Sequence, residues 1–533
     1  MRLGSFVLQG FILFFIGFIS CSNPPQTAEN QFDFKKLSKV VLEESLIPVR
    51  QGVPGETPFW NGNAKRFIHV PAFHFKKVEG AVNYRFIATD SDGKEYRFTS
   101  ENPWDNLSPI WLKLPVGYVD LEVAGLDAAG KTLAQAGTRK FYKAAAFNGP
   151  YNTKQTDYTE SYSRALKYIF DQNYIQHWKT HGMPDTLSYR LYCYPAKIMG
   201  AVVESMLLHS QVSGADKTEA VVIAEKAADF LIKISEPENA PLEFFPPTYM
   251  GNAATAKDYK DQFMMIYPAE LAQNYLELYN KTQNQKYYQA AVRIANTYSK
   301  LQLPEGTWYL KLWKDGTPVK ENRCIPVVII EFLERLRTEY GILDYREMEQ
   351  KALKWILDNP VRTFDWSGQF EDINPGKPYE NLTKHDACSF AVYLFHHKDI
   401  LPNSIELAEE LLRFSEDQFV VWEKPMPHSY TRAQQWILPC ALEQYNYYVP
   451  IDASVSKLMN TYLEACKATG KELYLAKAIE FANAMTVAQI AETGRYPTYW
   501  EWNEERLSNE GWLNCAVSDV KAMMNIQNYL TEK

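Results

Sequence analysis

Two stretches decide the fold: TQNQKYYQAAVRIAN at residues 282–296 and TGKELYLAKAIEFAN at residues 469–483. They match in register. Each opens on a threonine, carries Tyr287 or Tyr474 at the sixth position, and ends on Ala295-Asn296 or Ala482-Asn483. Each is followed by a helical remainder and a glycine-aromatic loop. The loops are Glu305-Gly306-Thr307-Trp308-Tyr309 and Gly494-Arg495-Tyr496-Pro497-Thr498-Tyr499-Trp500. Ala228-Asp229 marks a third, weaker copy. A repeated helical hairpin cannot bury its apolar face alone, so the copies must stack into a solenoid or close into a ring. Long loops rich in Trp and Tyr favour the closed ring, an α/α barrel with a cleft at one end.

The helical period extends on both sides of these stretches. It begins after Phe147-Asn148-Gly149-Pro150, where Tyr158, Tyr162, Ala165, Leu166, Ile169 and Phe170 share one helical face. It continues to Leu530, with helices expected over 194–212, 266–279, 325–340, 383–396, 433–447 and 512–530, among others. Residues 151–533 are therefore assigned to an (α/α)6-type barrel that carries the catalysis. Upstream the period changes to two. Phe73-His74-Phe75, Tyr84 to Ala88 and Tyr118 to Val123 alternate, separated by Glu79-Gly80, Ser91-Asp92-Gly93-Lys94 and Ala129-Gly130-Lys131. Short strands at this spacing predict an immunoglobulin- or fibronectin-like β-sandwich over 56–146, making the chain an α+β multidomain protein. Trp60, Trp104 and Trp111 fit either a sugar-stacking platform or packing between the two parts.

Length and composition agree. At 533 residues the chain exceeds one ordinary domain, and 46% hydrophobic against 23% charged residues excludes disorder for most of it. The net charge of −8 and the lack of a basic run argue against a nucleic-acid partner. The 13 Trp, 34 Tyr and 28 Phe can fill cores and can also stack on sugar rings. No CxxC pair occurs among the seven cysteines, and no GxSxG, GxGxxG, P-loop, HExxH or EF-hand pattern is present. No metal and no cofactor are expected. Six of the cysteines are expected as buried free thiols.

The first 21 residues form an address. Arg2 is followed by an apolar run from Phe6 to Ile19 that is too short for a membrane span, so it reads as a cleaved signal. Phe18-Ile19-Ser20-Cys21 resembles a bacterial lipobox, which implies that Cys21 is lipidated and becomes the new N-terminus. Residues 22–55 are then a tether and lead-in segment. The first acid after Cys21 is Glu29, which favours an outer-membrane anchor facing the periplasm over a cell-surface one.

The hairpins ending in Gly-x-Trp/Tyr loops resemble the six-hairpin glycosidase superfamily and the related α/α-toroid polysaccharide lyases. The likeness covers about Tyr158 to Leu530. The whole layout is similar to glycan-degrading lipoproteins of Bacteroidota, including the β-glucuronidases of glycoside hydrolase family 154. The resemblance implies a carbohydrate substrate.

Five loops are candidates for the chemistry. Between Arg362 and Asp386, Glu371 and Asp372 follow Phe370, with Trp366, Asn381 and His385 nearby. Glycoside hydrolysis needs one carboxylic acid and one carboxylate, and an acid beside an aromatic ring is desolvated towards the acid role. In Pro425 to Arg432, the residues His428, Tyr430 and Arg432 alternate and so point one way in an extended stretch. They suit binding of a uronate carboxylate and movement of a proton, and toroid lyases resembling this chain use Asn, His, Tyr and Arg. Glu501 lies between Trp500 and Trp502. The 178–190 loop and Glu243 to Tyr249 complete the five, and Trp308 joins them from the first repeat loop. Glu371, Asp372, His385, His428 and Tyr430 are taken as catalytic. Arg432, Asn381, Trp366, Trp308, Trp500, Glu501 and Tyr249 are taken as substrate-binding. Three functions stand open: a glycoside hydrolase on uronic-acid-containing glycans, which leads; a lyase acting by β-elimination; and a non-enzymatic glycan-binding lipoprotein.

Overall fold

A computed structural model describes residues 32–50, 60–212, 217–373, 376–427, 436–500 and 511–532. Helix α1 (Phe34–Ser45) comes first, and a five-stranded sheet follows. Helices α2 (Tyr158–Phe170), α3 (Asn173–His181), α4 (Gly200–Val212) and α5 (Lys217–Ile234) begin the helical part. It continues through α6 (Tyr267–Thr282), α7 (Gln285–Leu301), α8 (Val327–Tyr340), α9 (Arg346–Ile356), α10 (His385–His396) and α11 (Ser404–Phe419). It ends with α12 (Asp452–Thr469), α13 (Glu472–Ala488) and α14 (Leu513–Glu532).

The helices close a ring. Helices α4, α6, α8, α10, α12 and α14 each touch the next, and α14 returns to α4. Outside them α5, α7, α9, α11 and α13 each pack on the inner helix that precedes them, and α2 packs on α14. The ring is therefore shut by the first long helix of the helical part seated on the last. This is the (α/α)6 arrangement. Every inner helix enters the ring from the same end, so the loops before them gather there.

The sequence repeat is the outer seam of this ring. Tyr287 donates to Asp229 Oδ1 at 3.1 Å, Tyr345 to Asn296 Oδ1 at 2.7 Å, Tyr474 to Glu409 Oε1 at 3.0 Å, and Tyr158 to Asn483 Oδ1 at 2.7 Å. Each bond joins one outer helix to the next. The glutamines that end α7 and α13 also act alike. Gln302 Nε2 donates to the Gly306 carbonyl at 2.8 Å, and Gln489 Nε2 donates to the Gly494 carbonyl at 2.7 Å. Both glycines have positive φ, and a Cβ on either would collide with Lys351 or Arg164 on the following outer helix.

Three expectations change. Residues 66–143 form one sheet, not a sandwich: β1 (Arg66–Phe67), β2 (Asn83–Asp90), β3 (Glu95–Ser100), β4 (Gly117–Leu126) and β5 (Thr132–Lys143), in the order β1-β5-β4-β2-β3. All pairs are antiparallel except β1 with β5. Phe73 and Phe75 are buried but lie outside the strands, so alternation there marks packing rather than pairing. Among the described residues no second sheet packs on it; Phe67, Phe73 and Trp111 cover Phe141 on its inner face, and one apolar core runs through sheet and barrel. Secondly, part of the expected lead-in is α1, whose Leu37 and Val41 are buried; Asp33 caps it by accepting from the Lys36 amide at 3.0 Å. Thirdly, the helix expected over 433–447 is replaced in its described part by strands Cys440–Gln444 and Tyr447–Pro450.

Polar bonds lock the sheet to the ring. Asp417 Oδ1 accepts the Ile68 and His69 amides at 2.5 and 2.7 Å, and Gln418 donates to the Arg66 carbonyl at 2.7 Å. Trp60 and Trp111 are buried here, which places them in packing rather than on a platform. The six described cysteines are free and buried.

Candidate functional site

The loop between α9 and α10 is drawn into a hairpin. Ser367 bridges Leu382, the Gly368 amide donates to the Asn381 carbonyl at 2.7 Å, and the Thr383 amide donates to the Trp366 carbonyl at 3.0 Å. Phe370, Glu371 and Asp372 thereby reach the end of the ring where the inner helices begin. Five side chains from other segments hold the two acids there. Lys197 Nζ lies 2.7 Å from Glu371 Oε1, and the Tyr267 hydroxyl donates to Oε2. Tyr249 and Lys311 donate to the Glu371 carbonyl oxygen, Tyr249 at 2.6 Å. Tyr259 donates to the Asp372 carbonyl at 3.3 Å.

Glu371 and Asp372 are adjacent in sequence and opposite in character. Glu371 is buried, which alone would raise its pKa, but Lys197 and the Tyr267 hydroxyl overcome this and hold it below the ordinary value. It is a fixed anion. Asp372 is exposed, yet surrounding protein raises its pKa and the Glu371 charge raises it further, against Lys197 and Lys311. Of the two, it is the carboxyl with the raised proton affinity.

Other titratable groups share this end. Glu443, on the strand Cys440–Gln444, is raised by burial and by Asp372 and Glu371, against Lys384 and Lys197. Glu270, in the first turn of α6, is pushed up to about 7 by burial, against Lys197 and Lys457. His385, the first residue of α10, has a side chain 48% exposed, and burial of its surroundings together with Lys457 lowers its pKa, so it is neutral at pH 7. Its ring meets Phe370 edge-on at 6.4 Å. Burial lowers Lys311 and Lys384 to about 8. Lys384 donates to the Leu442 and Glu443 carbonyls at 2.9 and 2.8 Å, which ties α10 to the Glu443 strand. One run of rings flanks the acids: Tyr259 stacks on Tyr249 at 5.4 Å, Tyr249 meets Tyr194 at 5.7 Å, and Tyr194 meets Trp512 at 5.5 Å. Lys197 Nζ sits 4.8 Å over the Trp512 ring.

Of the residues expected from sequence, Glu371, Asp372, His385 and Tyr249 meet here. Several others are corrected. Asn381 is buried, donating to Gln444 Oε1 at 2.7 Å and accepting from the Asn446 amide at 2.8 Å, so it braces two loops. Trp308, Trp366 and Trp500 are 0%, 0% and 1% exposed, and a ring without exposed surface offers no face to a sugar. His428, Tyr430, Arg432 and Glu501 lie outside the described residues. The sequence reading missed Lys197, Tyr267, Glu270, Lys311, Glu443, Tyr194 and Trp512. A second repeat carried a signal for part of this set: Tyr194-Pro195-Ala196-Lys197 and Tyr267-Pro268-Ala269-Glu270 open two successive inner helices. In both, proline starts the helical turn, and the residue two positions later brings a charge to the mouth of the ring.

No protein-family model and no curated protein matches the sequence. Solved structures of carbohydrate-active enzymes resemble the fold distantly. A family 76 glycoside hydrolase from a bovine Bacteroides thetaiotaomicron strain aligns over 85% of this chain and 94% of its own, with TM-score 0.48 and 9% identity. An unsaturated glucuronyl hydrolase specific for heparin aligns over 70% and 98%, with TM-score 0.47 and 11% identity. A D-mannose isomerase aligns over 63% and 87%, with TM-score 0.46 and 10% identity. At these values the likeness carries no argument about activity; the barrel assignment rests on the helix pairing described above.

Proposed function

We propose that the protein is a glycoside hydrolase acting on uronic-acid-containing saccharides. The observation that carries this reading is the pair Asp372 and Glu443: two carboxyls from different segments, both raised, each feeling the charges of Lys197 and Glu371. Hydrolysis of a glycosidic bond needs an acid to protonate the leaving oxygen and a second carboxyl to activate water or attack the sugar carbon. Asp372, exposed and raised in proton affinity, takes the first role. Glu443 takes the second once ionised, and Lys384 and Lys197 favour that ionisation. Glu371 positions the loop and sets the Asp372 proton affinity. The Tyr259–Tyr249–Tyr194–Trp512 run borders the sugar, while Lys197, Lys311 and Lys457 supply the positive field that suits a uronate. Arg432 is the proposed ligand of the uronate carboxylate, and His428, Tyr430 and Glu501 remain proposed sugar contacts.

The test is a panel of uronic-acid oligosaccharides and polysaccharides, read by chromatography and ultraviolet absorbance together. Hydrolysis yields shorter products without new absorbance. Elimination, in which neutral His385 would act as base, yields a conjugated double bond that absorbs. Unchanged saccharide length with tight binding supports the glycan-binding reading instead.

The same proposal places the protein at the outer membrane, facing the periplasm, through a lipid on Cys21. Cys21→Ala is expected to move it from the membrane fraction to the soluble one. Equal membrane association in the variant would overturn the anchor.

A further inference from the structure

Away from the acids, a cavity of about 500 Å3 opens on the rim of the barrel between the 305–323 loop and the end of α9. It is lined by Glu305, Glu321, Arg323, Trp355, Asp358 and Asn359. The volume is that of a small-ligand site. Its parts are held in place. After α9 the chain makes a wide turn over Leu357–Val361, where Pro360 cannot donate a helical bond. Asn359 Nδ2 donates to the Trp355 carbonyl at 2.8 Å, fixing that turn beside the half-buried indole. Arg323 stacks on Tyr309 at 4.5 Å; its Nε donates to Glu305 Oε1 at 2.7 Å and its Nη1 to the Glu321 carbonyl at 2.8 Å. Its Nη2 edge makes no hydrogen bond among the described residues.

We propose that this cavity is an accessory binding site for an uncharged pyranose unit of a glycan, separate from the acid-bearing cleft. A pyranose has an apolar C–H face and a rim of hydroxyls. Trp355 offers a ring for the first. The carboxylates, the free guanidinium edge and the Asn359 amide offer acceptors and donors for the second. The charges select against anions: Arg323 is shared by Glu305 and Glu321 and Lys354 is paired with Asp358, so a sulfate or uronate would find no uncommitted cation among them. The cavity is joined to the acid loop. Gln369, two residues before Glu371, accepts from the Ile325 amide and donates to the Arg323 carbonyl, both at 2.7 Å. The inference rests on reading the protein as a carbohydrate handler, but binding can be scored without turnover.

The experiment is calorimetric titration of the full chain with cellohexaose, mannohexaose, a sulfated heparin hexasaccharide and spermine, alongside Trp355→Ala and Glu321→Ala. Hydrolysis of a short substrate serves as the fold control. The expected result is binding of a neutral hexaose that weakens roughly tenfold in Trp355→Ala, the size of one aromatic contact. Glu321→Ala should weaken it less, with short-substrate turnover kept in both. The heparin fragment should bind no tighter to the wild type than to Trp355→Ala. Neutral binding unchanged in both variants, no neutral binding at all, or binding of spermine alone would each overturn the proposal. Loss of hydrolysis with neutral binding retained would fault the proposed function and leave this site standing.

Discussion

Lys197 and Glu371 lie 174 residues apart in the chain and 2.7 Å apart in the fold, with side chains 18% and 5% exposed. The pair ties the loop before α10 to the turn that leads into α4, across the mouth of the ring. Removing one partner of a buried pair strands the other charge. Lys197→Met is therefore expected to lower stability by about 3 kcal/mol, read from the midpoint of urea unfolding. Double replacement by Met and Gln should recover part of the loss. A single variant as stable as the wild type would show that the pair does not brace the mouth.

The charge of Glu371 raises the Asp372 pKa. If protonated Asp372 is the acid, activity falls as pH rises through that pKa. Glu371→Gln removes the charge, so the alkaline limb of the kcat/KM profile should move to lower pH. An alkaline limb that stays in place or moves upward would separate Asp372 from the acid role.

Asp452 and Asp519, both fully buried at the α12–α14 seam, form a second carboxyl pair. Burial pushes Asp519 up to about 8, and burial with the Asp519 charge lifts Asp452 well above its ordinary range. The folded state here binds protons that the unfolded chain releases near pH 4. The associated stability is complete below the unfolded pKa and is lost as pH rises towards about 8. Asp519→Asn should therefore gain on the wild type in thermal midpoint between pH 5 and pH 8. Parallel curves for the two proteins would contradict a shared proton at the seam.

A fragment beginning at Tyr151 loses the Ile68 and His69 amides that Asp417 accepts. Its circular dichroism should remain helical, while its unfolding free energy falls by at least about 1–3 kcal/mol for the carboxylate left unsatisfied. A fragment equal in stability to the full chain would mean that the sheet is a passenger on the barrel.

Much of the ring was legible because its repeat is local. Tyr287, Asn296, Tyr474 and Asn483 recur at fixed spacing because each takes part in a bond between neighbouring outer helices. The single sheet was not legible, because alternation in Tyr84 to Asp90 reports one covered face and does not say whether a sheet or a helix covers it. The site was half legible. Glu371 and Asp372 stood out among aromatic neighbours, but sequence could not distinguish the carboxyl held low from the one raised. That distinction is made by Lys197 and Tyr267, far away in the chain. Trp308, Trp366 and Trp500 were misread because a tryptophan in a loop and one in a core look alike until the loop is seen to fold inward.

The most direct test of hydrolysis at this cleft is single-turnover assay of Asp372→Asn on the uronate oligosaccharide that the panel identifies, with binding measured in parallel. Asp372→Asn is expected to lose roughly a hundredfold to ten-thousandfold in the chemical step, typical of a missing general acid, with substrate affinity kept and no ultraviolet-absorbing product from the wild type. Near wild-type turnover in Asp372→Asn, or an absorbing unsaturated product from the unaltered enzyme, would contradict it.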